Sequence, residues 1–67
     1  MYPNLKAEMA RKNINAKKLT EMTGMSISAF YDKLRGERSF TLEECVKIKE
    51  VLGVDIVIEN LFMKGVA

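Results

Sequence analysis

The chain has 67 residues, enough for one small domain but not for both a hydrophobic core and a large ligand cavity. Apolar residues make up 48% and charged residues 30%, a balance that supports folding rather than disorder. With no His, a single Cys (Cys45) and a net charge of +2, the sequence excludes an internal disulfide, a structural zinc site and nucleophile–His catalytic pairs.

In chain order the pattern predicts four or five short helices with no linker, repeat or low-complexity segment. Pro3 suits a first helical position, and Leu5 and Met9 follow at i, i+4, so a first helix is expected from about Pro3 to Lys12. It ends near Asn13, a residue that tolerates a left-handed cap. Asn15 is a good N-cap for a second helix over about 16–23, with Leu19 facing inward and Gly24 as its stop. Ser26 is the next N-cap, and Ile27, Phe30 and Leu34 mark a third helix that Gly36 ends. Thr41 with Glu44 three residues later forms a capping box for a fourth helix, whose inward stripe is Leu42, Cys45, Ile48 and Leu52 and whose stop is Gly53. The β-branched stretch from Val54 to Ile58 is compatible with extended chain. A short last helix capped by Asp55 and running through Asn60 to Phe62 is preferred, since a lone strand has nothing to pair with. The predicted class is therefore all-α, a compact bundle occupying residues 1–67. Phe30, Leu34, Leu19, Ile48 and Leu52 are its expected core, with Met9 and Met22 filling gaps and Cys45 an inert small hydrophobe.

Charge is unevenly spread. From Arg11 to Arg38 seven basic residues stand against three acidic ones, a balance of +4, whereas from Ser39 to Ala67 three basic residues stand against five acidic, a balance of −2. The middle of the chain attracts polyanions and the C-terminal third does not. One free thiol and no secretion signal fit a reducing cytoplasm, and no apolar run is long enough to span a membrane. Neither phosphate-loop nor dinucleotide glycine patterns occur, so an enzyme is not expected, nor is any cofactor, metal or small-molecule ligand.

The function-bearing spacing is the very short turn Gly24-Met25-Ser26 between the second and third helices. Such a turn sets two helices at a steep angle and leaves one face of the second free. Winding the third helix puts Ile27, Phe30, Tyr31 and Leu34 on one side, with Tyr31 at the edge of the core. Ser28, Ala29, Asp32 and Lys33 fall on the other, with Arg35 on the flank. The outer face is thus small and polar, and can approach a groove closely.

The stretch Asn15 to Gly36, NAKKLTEMTGMSISAFYDKLRG, resembles the helix-turn-helix of the phage repressor/Cro (XRE-type) family. The following ERSFTLEECVKIKEVLGVDI is similar to that family's fourth helix and its exit. The resemblance runs from about Leu5 to Phe62 and rests on Leu19, Gly24, Gly36 and Leu52-Gly53-Val54 in register. It implies a lambda-repressor-like fold of five helices, operator double-stranded DNA as ligand, and a homodimer on a pseudo-palindrome, with the third helix in the major groove. The residues it assigns to base reading are Ile27, Ser28, Ala29 and Asp32: the hydroxyl donates or accepts, the carboxylate accepts from cytosine N4, and the apolar pair can meet thymine methyls. Arg35 matches a phosphate contact, joined by Lys17, Lys33 and Arg38. Ala16 stands where the family often holds Gln, and Thr20 where it often holds Ala. Some members lock the first helix to the third with an Arg–carboxylate pair; here those positions hold Met9 and Leu34, expected to touch and to be largely buried.

Apolar residues left over after the core is filled concentrate late in the chain: Val46, Val51, Ile56, Val57, Phe62 and Met63. Their number predicts a symmetric dimer through the C-terminal third, leaving the basic segment free. An alternative use of the same scaffold is a protein-interaction module, antitoxin-like or a phage accessory adaptor. The modest net charge, the acid on the reading face and the missing Gln favour that alternative.

Overall fold

A computed structural model describes residues 1–65, and all its regular structure is helical: α1 (Pro3–Arg11), α2 (Ala16–Thr23), α3 (Ile27–Leu34), α4 (Leu42–Leu52) and α5 (Ile58–Leu61). No strand occurs among the described residues. The expected domain range of 1–67 extends over two residues that lie outside the described ones.

Local capping chemistry sets most of these limits. Asn15 Oδ1 accepts from the Lys18 amide at 2.8 Å, and Ser26 Oγ accepts from the Ala29 amide at 3.1 Å. At α4 the capping box is complete, with Glu44 N donating to Thr41 Oγ1 and Thr41 N donating to Glu44 Oε1. Asn13 closes α1 with φ of 56°, and Gly24 and Gly53 close α2 and α4 in the same left-handed region. Only α5 departs from expectation: Asp55 does not cap it, because Val54 to Val57 run on without helical structure and α5 starts at Ile58 with no side-chain cap.

Helix α2 packs on both α3 and α4, and α5 bridges α1 and α4. The space between holds Tyr2, Leu5, Met9, Leu19, Phe30, Ile48, Leu52, Val54 and Leu61. Phe40, in the loop between α3 and α4, lies edge-on to three other rings: Tyr2 at 5.3 Å, Phe62 at 5.1 Å and Phe30 at 6.0 Å. All the aromatic residues of the chain belong to this network, since Tyr31 meets Phe30 at 6.1 Å. No described helix is long and apolar enough to cross a membrane.

Several core expectations are corrected. Leu42 is 71% exposed, because at the first position of α4 it lies off the stripe that Cys45, Ile48 and Leu52 turn inward. Met22 is also exposed, since α2 buries Leu19, Thr20 and Thr23 instead. The two threonine hydroxyls donate back to backbone carbonyls of their own helix, Thr20 to Ala16 O and Thr23 to Leu19 O, so their burial leaves no polar group unpaired. Met9 is buried as expected, but Leu34 is only partly so, packed at the margin of the cluster that contains Met9. Of the six apolar residues assigned to a dimer face, Val51, Ile56 and Phe62 pack partly buried against the core of their own chain. Val46, Val57 and Met63 remain exposed.

Candidate nucleic-acid interface

Helix α3 is held at both ends and from behind. The left-handed Gly24 turns the chain from α2 through Met25 to the Ser26 cap, and Met25 packs against the core. Phe30 is fully buried behind the helix. The helix then gives way to Gly36, whose φ of 84° lets the chain leave toward α4.

The inward face of α3 is not the one that periodicity suggested. Lys33 is 7% exposed, with its ammonium donating to both carboxylate oxygens of Glu44, at 2.7 Å and 2.5 Å. The expectation that Lys33 faces solvent and grips phosphate is therefore corrected. Its aliphatic stem is accommodated against the core while its charge is met by a carboxylate that also caps α4. This is the one ion pair joining two helices among the described residues; Arg11–Glu8, Arg35–Asp32 and Arg35–Glu37 all lie within three residues of sequence. Partial burial pushes the Glu44 carboxyl up, but the Lys33 ammonium and the Thr41 amide together outweigh it and hold the group below its ordinary range. Burial and the Glu44 charge push the Cys45 thiol up, so it stays protonated.

With Lys33 turned inward, the helix is rotated relative to expectation, and Ile27 and Tyr31, both placed on the inner side by periodicity, move to the outside, Tyr31 at 43% exposure. Ile27 is 45% exposed, Ser28 is exposed, and Ala29 and Asp32 are half-buried. The outer face is thus Ile27, Ser28, Tyr31, Asp32 and Arg35, bringing together three of the four expected base-reading residues, with Ala29 beside them. Tyr31 was missed as a member because an aromatic at helical spacing from Ile27 and Leu34 reads as the edge of the core. Its hydroxyl, and the lysine two residues on with a distant carboxylate to meet, are the signals that favour the outward choice.

The basic residues divide into used and free. The Arg35 guanidinium donates to Asp32 Oδ1 at 2.6 Å and Glu37 Oε2 at 3.0 Å, and these carboxylates hold it firmly charged. Lys17 and Arg38 are exposed and pair with no acidic side chain among the described residues, and Lys18, which was not singled out, is their equal. A shallow cleft of about 290 Å³ lies between the α2–α3 turn and the start of α4; Glu43, Glu44 and Lys47 line it, and with Glu44 paired to Lys33 the lining carries no excess of positive charge to draw an anion.

No protein-family model, no curated protein and no solved structure matches this chain.

Proposed function

We propose that the chain is a sequence-specific DNA-binding transcriptional regulator of the phage repressor/Cro kind, with α2 and α3 as its helix-turn-helix and α3 entering the major groove. The fold it would then have is lambda-repressor-like, its ligand an operator duplex, its working form a homodimer and its setting the cytoplasm. The observation that carries the reading is the face of α3: an eight-residue helix, anchored by Phe30 and the Lys33–Glu44 pair, that turns Ile27, Ser28, Tyr31 and Arg35 outward after a three-residue turn from α2. Lys17, Lys18 and Arg38, exposed and free of acidic partners among the described residues, supply the charge for a phosphate rim.

The test is a titration of labelled mixed-sequence duplex at 50 and 200 mM salt, between which each bound protomer should lose about fortyfold in affinity. That figure follows from a slope of about −0.9 per phosphate contact and roughly three contacts per protomer. Lys17→Ala and Arg38→Ala should each flatten the slope by about 0.9. Arg35→Ala should flatten it less, since Arg35 has to leave Asp32 and Glu37 to reach a phosphate. Ser28→Ala should relax the preference at one base pair, by about 1–3 kcal/mol. A second reading, a protein-interaction module on the same scaffold, draws support from the internal neutralisation of Lys33 and Arg35 and from the exposed apolar side chains of Met22, Ile27 and Tyr31. It predicts no duplex binding even at low salt.

A further inference from the structure

Resting on the DNA reading above, we infer that α3 recognises its site chiefly through the C5-methyl groups of thymines, with Ile27 and Tyr31 as the residues that contact them. The outer face of α3 has already committed its polar readers within the protein. Arg35, the one side chain there able to make a bidentate bond to guanine, directs Nη2 to both Asp32 and Glu37, and would have to give up these contacts to turn its fork to a base. Asp32, which would accept from cytosine N4, accepts from Arg35 instead. Ser26 Oγ is used as the helix cap, Lys33 is turned inward to Glu44, and α3 contains no Asn or Gln to read adenine. What remains facing outward is the hydroxyl of Ser28 and two large apolar surfaces, Ile27 and Tyr31, which stand four residues apart and so lie side by side on the helix. The Tyr31 ring keeps an edge-on contact with Phe30, 6.1 Å away, on its inner side and leaves its outer side open.

The thymine methyl is the one apolar group on the major-groove edge of a base pair, and it is the group such a surface can select. The charge of the segment favours a duplex as the occupant: Lys17 and Lys18 precede this face in sequence and Arg38 follows it, all exposed and without acidic partners among the described residues, in a stretch from Arg11 to Arg38 whose balance is +4. Each methyl buried against Ile27 or Tyr31 should contribute roughly fourfold in affinity, the factor carried by one apolar carbon removed from water.

The experiment begins with selection of tight-binding 20-base-pair duplexes from a random pool at low salt. The selected duplexes are then synthesised again with deoxyuridine in place of thymidine, which removes the methyl and leaves charge and pairing unchanged. The expected result is a thymine-rich consensus and a loss of affinity of roughly fourfold per contacted methyl in the uracil duplex. Ile27→Ala and Tyr31→Ala should each shrink the thymine–uracil gap while keeping the salt slope; both side chains are exposed, so the fold tolerates the change. Equal affinity for the thymine and uracil duplexes with a steep salt slope would overturn methyl recognition and leave DNA binding standing. A gap that persists in both alanine variants would overturn the assignment as well. No binding to any duplex would remove the DNA reading, and this inference with it.

Discussion

Lys33 and Glu44 illustrate how one pair of side chains sets several features at once. Glu44 closes the cap of α4 through Thr41 and neutralises an ammonium that α3 buries. Removing one member of such a pair is costlier than replacing both, because the survivor keeps its desolvation penalty. Glu44→Gln retains an acceptor for the Thr41 amide but leaves the Lys33 charge without a counter-ion. It should destabilise the domain, by less than the roughly 3–5 kcal/mol of a fully buried pair because Glu44 keeps some contact with water. Lys33→Met keeps the volume of the stem without the charge and should unfold at a higher urea concentration than Glu44→Gln. The pH dependence has a definite sign. The folded carboxyl lies below its ordinary value near 4.5, so its contribution is complete above that value and is lost as pH falls through the lower, folded one. Thermal melts of the parent chain should therefore fall across that acid window, and those of Glu44→Gln should fall less.

The α3–α4 connection, from Arg35 to Thr41, is short of regular structure yet holds the aromatic network together through Phe40. Phe40→Ala removes edge-on contacts to Tyr2, Phe30 and Phe62 together, and should cost about 3 kcal/mol, the lower end for a large aromatic because the ring is half-buried. Thr41→Ala, one residue on, touches only the cap and should cost about 1 kcal/mol. Urea denaturation followed by circular dichroism separates the two. In a domain whose total stability is about 5 kcal/mol, the first variant is close to the limit of folding and the second is not. Capping was legible in the sequence because Thr41 and Glu44 act within one turn; the aromatic network was not, since Tyr2, Phe40 and Phe62 belong to separate parts of the chain.

At the scale of the whole molecule, extents of 29 × 25 × 21 Å leave little interior for a chain of this length, and the core is shared by residues from both ends. Phe62, Ile56 and Val51 contribute to it, which leaves a smaller apolar surface for self-association than composition suggests: Val46, Val57 and Met63. A dimer through that remnant should be weak and reversible. Sedimentation equilibrium at tens of micromolar is expected to show a monomer–dimer mixture that Val57→Asp shifts to monomer. A clean monomer in the parent chain would count against the C-terminal dimer, and an unchanged dimer in Val57→Asp against this face.

The sequence alone determined that the chain is helical and where α1 to α4 begin and end. The signals responsible are caps and stops, Asn15, Ser26, Thr41 with Glu44, Gly24 and Gly53, whose hydrogen bonds and backbone angles close within three or four residues. Periodicity also placed Ser28 and Asp32 on the outer side of α3 with Arg35 at its flank, whereas Ile27, which it turned inward, entered the candidate interface only through the family resemblance. Tertiary structure decided which way that helix is rolled. Periodicity treats a lysine as outward and a tyrosine as inward, and within α3 nothing contradicts it. Glu44, eleven residues on and in another helix, lets Lys33 turn in, and that turn sends Tyr31 out. Burial of Phe62 and Ile56 was decided in the same way, by packing against elements distant in sequence, which no local pattern encodes.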